Sequence, residues 1–474
     1  MRWVWIAVAV AGCTAGPDYS APVVDAPARF GLTRTDVASR TSSAPVDPSW
    51  WQQFGDPELT SLVTRVAAQN LDLQAAAERV LQGRAQTRVV ASQGLPQIEA
   101  KSSYSRNRLS PTGDPAALVV PAPGAPEEFD VFQNGLNSSW DLDLFGRIKR
   151  QTEAQAAETQ AAVEERRGVA LAAVADIAQD YMQLRGIQAQ LAIAERNLAV
   201  AQGNTALVQT RFANGVATTL DIARAKAQEA TIGSTVPTLR TQQVALINAI
   251  GTLLGQTPRA LQAELTAPAA GVTIPAVVPV GISTALVRQR PDLRQAEAQL
   301  HAATAQIGAA EAAFYPDINL TGSFELQGLR LKDAFSLYSR AFEVGPSISL
   351  PIFQGGRLRG TLELRKAQAR EAALQFRRVL LRAWQELDNA LVAFAEAQAR
   401  AELVSAAVAQ NQVALAAARQ RYREGVGDFI DINLVQTQLL QSENDLAQSR
   451  AQIAISLVTL YRALGSGWES AEPR

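Results

Sequence analysis

An apolar residue recurs every seven positions along two very long stretches of this 474-residue chain. The first stretch, from 148 to 212, carries the repeat at Val163, Ala170, Ile177, Leu184, Leu191 and Leu198. The second, from 357 to 422, carries it at Leu380, Leu387, Phe394, Ala401, Val408, Leu415 and Tyr422. A sustained seven-residue repeat predicts coiled-coil helices, and about 65 residues make a helix roughly 95 Å long. An ordinary globular domain has no use for helices of that length.

The two long stretches belong to two copies of one plan. Arg211 to Val216 matches Arg421 to Val426 at an offset of 210 (421 − 211), and Asp221 matches Asp431 at the same offset. Each copy predicts a helix, two strands, a long helix, a turn and a further helix. We expect the first repeat at 51–254, a Pro-rich linker at 255–281, the second repeat at 282–464 and a short tail at 465–474.

Alternating apolar and polar residues predict two strands in each repeat. The expected strands cover 96–106, 129–145, 316–326 and 340–353. About ten residues suffice to cross a bilayer as a tilted strand, although a small soluble sheet would show the same pattern. The smallest membrane barrels have about eight strands, and no sheet edge may stay open in lipid. A membrane barrel would therefore need several copies of the chain, each donating four strands.

The first thirteen residues predict export and lipidation. Arg2 precedes an apolar run that is too short to span a bilayer, and the run ends in Val10-Ala11-Gly12-Cys13, which resembles a lipobox. We expect a signal peptide at 1–12 and an acylated N-terminus at Cys13, with an ordinary signal peptide as the alternative. Residues 13–50 are Pro-rich and predict an extended, lipid-anchored linker.

Composition excludes several classes of function. Lys and Arg number 44 against 45 Asp and Glu, a balance that excludes a generally basic nucleic-acid binder. The chain has one His and one Cys, so it predicts no metal site and no Cys–His nucleophile; His301 should be a packed or solvated side chain. No phosphate-binding GxxxxGK loop occurs, so energy must come from a partner. We expect no enzyme and no cofactor beyond the lipid on Cys13.

Several motifs together resemble the TolC-like outer membrane factors, in their lipidated NodT-type branch. The motifs that carry this resemblance are Cys13-Thr-Ala-Gly-Pro-Asp-Tyr19, Arg288-Gln-Arg-Pro-Asp-Leu-Arg, Phe314-Tyr-Pro-Asp-Ile-Asn-Leu320, Leu350-Pro-Ile-Phe-Gln-Gly-Gly-Arg357 and Tyr461-Arg-Ala-Leu-Gly-Ser-Gly-Trp468. The resemblance implies a mainly α fold with membrane β structure. It implies a homotrimer with a twelve-stranded transmembrane β-barrel, a coiled-coil α-helical barrel in the periplasm and an equatorial belt.

The resemblance also implies a function and a location. The chain would be the outer-membrane channel of a tripartite efflux system in a Gram-negative bacterium. It would conduct small molecules passively from an inner-membrane pump, driven by protons, through a periplasmic adaptor. Two alternatives stay open: a conduit for type I protein secretion, and a structural envelope lipoprotein without a pore.

Residues at the two turns are the implied functional sites. The positions that match the family's adaptor-docking tip are Gly215, Val216, Gly425 and Val426. The positions that match its periplasmic aperture are Asp221, Tyr422 and Asp431, with Asp428 as an extra carboxylate nearby. The resemblance implies that Tyr422 bonds across the aperture to Asp221. Gly427 and Leu434 depart from the family pattern, where some relatives carry an arginine and an aspartate.

Overall fold

The computed structural model describes residues 14–24, 37–108, 128–267, 273–281 and 289–472. The expected signal peptide at 1–12 and Cys13 lie outside these ranges, as do parts of the two linkers. The chain divides into two compact units. The sheet unit comprises residues 1–22, 81–161 and 297–375, and the helical unit comprises 23–80, 162–296 and 376–474.

Eight helices carry the two-fold repeat in the described chain. They are α1 (Pro57–Gln69), α2 (Leu71–Ala91), α3 (Arg147–Ala213), α4 (Thr219–Leu253), α5 (Gln262–Leu265), α6 (Pro291–Ala312), α7 (Arg357–Arg423) and α8 (Phe429–Leu464). Helices α3 and α7 have 67 residues each, and α4 and α8, which follow them, have 35 and 36. The predicted two-part plan with two very long helices is confirmed. Among the described residues, no helix combines the length and the hydropathy needed to cross a membrane.

Six strands form two sheets in the described ranges. The strands are β1 (Arg40–Ser42), β2 (Gln97–Arg108), β3 (Glu128–Asp141), β4 (Val277–Pro279), β5 (Asp317–Gly328) and β6 (Arg340–Ser349). In the helical unit, β1 and β4 pair in parallel. In the sheet unit, β2, β3, β5 and β6 form an antiparallel sheet in that order. The outer edges of β2 and β6 pair with no other strand in the described part of the chain.

The four-stranded sheet has one apolar and one polar face. Its register places Leu136 opposite Phe324, and Phe324 opposite Phe342. Residues directly opposite each other share a face. Even-numbered positions therefore form the apolar face, whose large exposed side chains are Ile98, Tyr104, Leu136, Trp140, Leu320, Phe324, Phe342, Val344 and Ile348. The odd-numbered positions on the other face include Gln97, Glu99, Lys101, Gln133, Asn137, Asn319, Thr321 and Glu343.

The main core of the helical unit contains residues from both chain ends and from the middle segment, which is the Pro-rich stretch at 255–281. Trp50 stacks on Tyr461 with ring centroids 4.9 Å apart, and its Nε1 donates to the carbonyl of Ser466 at 3.1 Å. Leu265 and Val278 of the middle segment are fully buried in the same cluster. Stacked and hydrogen-bonded aromatics of this kind stabilise beyond their buried area. Both chain ends and the middle segment thus share one core within a single chain.

In the sheet unit, the segment from Thr14 to Tyr19 lies against α3 and α6. An added Cβ on Gly16 would collide with Cα of Gly308, so the two backbones are in direct contact. Arg150 of α3 pairs with Asp18 at 2.7 Å. Tyr19 stacks on His301 at 4.4 Å, and His301 Nε2 lies 2.9 Å from Oε1 of Glu153. The single histidine therefore packs into this contact, and the start of the expected extended linker is bound to the helices.

Candidate functional site

The two long helices, α3 and α7, end in turns of the same conformation. Gly215 has φ 74°, and Gly425 has φ 80°, a left-handed conformation that favours glycine. The N–H of Val216 donates to the carbonyl of Arg211 at 2.9 Å, and the N–H of Val426 donates to that of Arg421 at 3.1 Å. These bonds satisfy helix-end carbonyls in a Schellman motif. An added Cβ would meet no atom within 4 Å at either glycine, so conformation and not space requires glycine there.

The first turn holds its aspartate in a capping box. The backbone N–H of Asp221 donates to Thr218 Oγ1 at 3.2 Å, and the N–H of Thr218 donates to Asp221 Oδ2 at 2.9 Å. The hydroxyl of Thr218 also donates to Asp221 Oδ2, at 2.7 Å. The hydrogen bonds from the backbone and hydroxyl of Thr218 lower the pKa of Asp221 below its ordinary value. Asp221 therefore stays charged and oriented at the start of α4.

The second turn lacks this capping box. Asp428 takes the place of Thr218 before α8, and Asp431 takes the place of Asp221. A carboxylate cannot donate the bond that Thr218 supplies. Within the described part of the chain, neither carboxylate has a side-chain hydrogen bond or ion pair. Each chain thus presents one bound carboxylate at the first turn and two free ones at the second.

Apolar side chains project from both turns. Val216 and Val426 are 65% and 66% exposed. Leu220 and Ile430, one helical turn later at equivalent positions, are also exposed, and so is Leu434. Leu220 and Ile430 were not among the site residues predicted from the sequence, although they occupy matched positions in the two repeats. A cluster of exposed apolar side chains is typical of a protein contact surface.

Within a single chain, the described residues show no hydrogen bond between Tyr422 and Asp221, so the bond expected across the aperture stays a prediction for the assembled channel. Asp221 is engaged by Thr218 at its own helix end. The Tyr422 side chain is instead 7% exposed, packs near Phe429 at 5.9 Å, and lies with its ring under Arg211 at 4.2 Å. Arg211 was not predicted as a site residue. Its partner Tyr422 is distant in sequence, and the only signal at Arg211 was its place in the repeated motif.

Behind the turns lies a compact apolar cluster that joins the four helix ends, here called the tip cluster. Its buried members are Val208, Ala225, Val408, Leu415, Tyr422, Phe429, Ile432 and Leu439. Two of them come from α3 and α4, and six from α7 and α8. Because the cluster contains both pairs of helices, it positions the two turns relative to each other. Among the described residues, no group of three or more His, Cys, Asp or Glu side chains could hold a metal ion.

This architecture belongs to a known family. The outer membrane efflux protein family matches the chain over residues 62–256 and 282–466, one match for each repeat. The chain therefore belongs to the outer membrane efflux proteins, and it is an outer-membrane channel protein. The family consists of conduits and not of enzymes. The resemblance inferred from the motifs is confirmed.

Individual relatives agree along nearly the whole chain. The chain is 28% identical to the cation efflux system protein CusC of Escherichia coli over 464 residues, covering 98% of both chains. It is 30% identical to nodulation protein T of Rhizobium leguminosarum bv. trifolii over 459 residues, covering 97% of this chain and 95% of the relative. The solved outer-membrane channel OprN superposes with a TM-score of 0.87 at 32% identity, covering 96% of this chain and 100% of OprN.

Proposed function

We propose that three copies of this chain form one continuous duct, with a twelve-stranded barrel in the outer membrane and a helical barrel in the periplasm. The observation that carries the proposal is the four-stranded sheet, with its exposed apolar face and two unpaired edges. In lipid every backbone N–H and C=O must find a partner, so edges β2 and β6 must pair with other chains. Three copies of four strands close within the known range of membrane barrels.

The two faces of the sheet suit this arrangement. Side chains such as Leu136, Phe324 and Val344 would face lipid, and residues such as Gln133, Asn137 and Thr321 would line a water-filled interior. Strands of 10 to 14 residues are long enough to cross the bilayer with tilt.

The first expected result concerns assembly. Full-length protein solubilised from membranes in mild detergent should have the protein mass of three chains, measured by light scattering that corrects for detergent. Extra charge at Val344, as in Val344→Asp, should reduce insertion, whereas Thr321→Asp on the polar face should be tolerated. A stable folded monomer in membranes contradicts the closure argument.

Lipidation is the second expected result. Thr14, the residue after Cys13, lies beside the junction of β3 and α3: Lys149 Nζ donates to its hydroxyl at 3.0 Å, and the next N–H, from Ala15, donates to the carbonyl of Phe145 at 3.1 Å. An acylated Cys13 would start at the end of the sheet, where strands leave the bilayer. Mass spectrometry of the mature protein should show an acylated N-terminal Cys13. An unmodified N-terminus, or one at another residue, refutes the lipobox interpretation.

The turns would face the periplasm and serve two roles. The exposed apolar side chains around Gly215, Val216, Gly425 and Val426 would dock a periplasmic adaptor, which links the duct to a proton-driven inner-membrane pump. The carboxylates of Asp221, Asp428 and Asp431, from three chains, would surround the aperture and favour cations.

We infer small molecules as the cargo, conducted passively. The efflux family and the cation efflux relative support this cargo over exported proteins. Purified trimer in a planar bilayer should conduct ions, and loss of the gene should sensitise cells to toxic small molecules without blocking protein secretion. A protein that never conducts would be a structural lipoprotein, and a specific loss of protein secretion would support the type I conduit.

A further inference from the structure

Arg211 links the two helix pairs of the chain close to their turns. It lies in the last turn of α3, and its guanidinium carbon is 4.2 Å from the ring centroid of Tyr422, in the last turn of α7. Its Nη1 also donates to the backbone carbonyl of Tyr422 at 3.1 Å. One side chain thus holds both the ring and the backbone of the residue next to the second turn.

The repeat offers a built-in comparison. Arg421 and Tyr422 of the second repeat match Arg211 and Phe212 of the first. Phe212 is 44% exposed, whereas Tyr422 is buried in the tip cluster. In the described part of the chain, the Arg421 side chain makes no hydrogen bond, ion pair or aromatic contact. Only the arginine of the first repeat therefore makes this contact: Arg211 of α3 binds Tyr422 of α7, whereas the equivalent Arg421 binds no residue of the α3–α4 pair in the described ranges.

Above the tip cluster, polar side chains interrupt the apolar contact between α3 and α8. Asn204 Nδ2 donates to Gln436 Oε1 at 2.6 Å, and Asn197 Nδ2 donates to Glu443 Oε2 at 3.0 Å. Gln436 is buried, yet its Nε2 has no partner. Polar groups within a helix seam specify register at a cost in stability. A layer of hydrogen-bonded polar side chains therefore lies between the tip cluster and the main core of the helical unit.

We propose that Arg211 is the positioning residue that keeps the aperture closed, by holding the α7–α8 pair against the α3–α4 pair through the ring face and carbonyl of Tyr422. This inference rests on the proposed function, because it assigns a role within the periplasmic aperture. Within one chain the partner of Tyr422 is Arg211, which binds the aromatic ring and the backbone carbonyl and leaves the hydroxyl unused. A partly buried cation–π contact and a charge-assisted hydrogen bond both favour this arrangement.

The test separates the ring from the hydroxyl. Full-length trimers carrying Arg211→Gln, Tyr422→Phe or Tyr422→Leu are reconstituted in planar bilayers without adaptor, and the resting open probability is recorded. Arg211→Gln and Tyr422→Leu should each raise it about tenfold, because both remove the contact. Tyr422→Phe keeps the ring and should leave it unchanged. Combining Arg211→Gln with Tyr422→Leu should add little to either alone.

Arg421→Gln is the matched control, since it removes an equivalent arginine that lacks the contact. It should keep the wild-type open probability. The melting temperature of each trimer is measured in parallel, and Arg211→Lys, which retains charge but not the planar guanidinium, should give an intermediate open probability.

Two results overturn the proposal. One is a wild-type open probability in Arg211→Gln; the other is a Tyr422→Phe channel as leaky as Tyr422→Leu, which would make the hydroxyl the bound group. If wild type conducts and aspartate substitutions at the turns alter its selectivity, the aperture stands even when the arginine result is negative. If the wild-type trimer forms no channel, both the proposed duct and the role of Arg211 fail.

Discussion

Replacing Arg290 by methionine should destabilise the protein by about 2 kcal/mol, because it removes charge-assisted hydrogen bonds and leaves the backbone carbonyl of Ala463 without this donor. Arg290 is 8% exposed, its Nε and Nη2 bind the two oxygens of Asp292, and Nη2 also binds Glu386 at 2.7 Å. Its Nη1 donates to the carbonyl of Ala463 at 2.8 Å, in the last turn of α8. These carboxylates hold the pKa of Arg290 above its ordinary value although burial opposes it.

Methionine retains the aliphatic packing, so the expected loss is that of charge and hydrogen bonds. Gly465 packs directly on this side chain, since an added Cβ would lie 2.7 Å from Cγ of Arg290. The measurement is the melting temperature of the detergent-solubilised protein, which should fall by several degrees. Arg382→Met is the matched control: Arg382 pairs with the same Glu386 but is 76% exposed, so it should cost less than about 1 kcal/mol. Equal shifts for the two variants would show that burial of Arg290 contributes nothing.

Periodicity was enough to predict the scale of this fold. The seven-residue repeat predicted helices at 148–212 and 357–422, and the structure places them at Arg147–Ala213 and Arg357–Arg423. Alternation likewise predicted four strands, whose observed ends differ by a few residues because pairing, not local pattern, decides where a ladder stops. Thus β3 ends at Asp141 and not at 145, since Asp143 accepts bonds from the N–H groups of Ile148 and Lys149 at the start of α3.

Contacts between distant segments could not be predicted in this way. The backbones of Gly16 and Gly308 are in direct contact, although the two residues are 292 positions apart (308 − 16). No local sequence pattern predicts that a glycine is required by a contact with so distant a residue. The contact of Tyr422 with Arg211 within one chain was not predicted either, because matched positions say which residues are near a turn and not which way a side chain points. Nor does a local pattern show that Thr218 and Asp221 bond to each other at the start of α4, although their spacing is that of a capping box.

Converting Asp428 and Asp431 to asparagine should abolish most of the cation preference of the channel. In the proposed trimer these two positions would supply two free carboxylates from each of three chains around one axis. Like charges at short range repel, so the closed aperture favours bound cations. The variant should bring the cation-to-anion permeability ratio towards one and weaken block by millimolar divalent cations about tenfold, which corresponds to about 1.4 kcal/mol. Single-channel recording with divalent cations on the periplasmic side measures both quantities.

Asp221 should contribute a smaller part of the cation preference of the channel, and this part should still be present at pH 5. Hydrogen bonds from Thr218 lower the pKa of Asp221 below its ordinary value of 3.8. At pH 5 this carboxylate is therefore still charged. The channel carrying Asp428→Asn and Asp431→Asn should therefore keep a weak cation preference at pH 5, and adding Asp221→Asn should remove it. The control is Glu363→Gln with Glu371→Gln, which deletes two exposed carboxylates of α7 some fifty residues before the turn. If that control changes selectivity as much as the aspartate variant does, selectivity follows the total charge of the duct, and the turns are not its aperture.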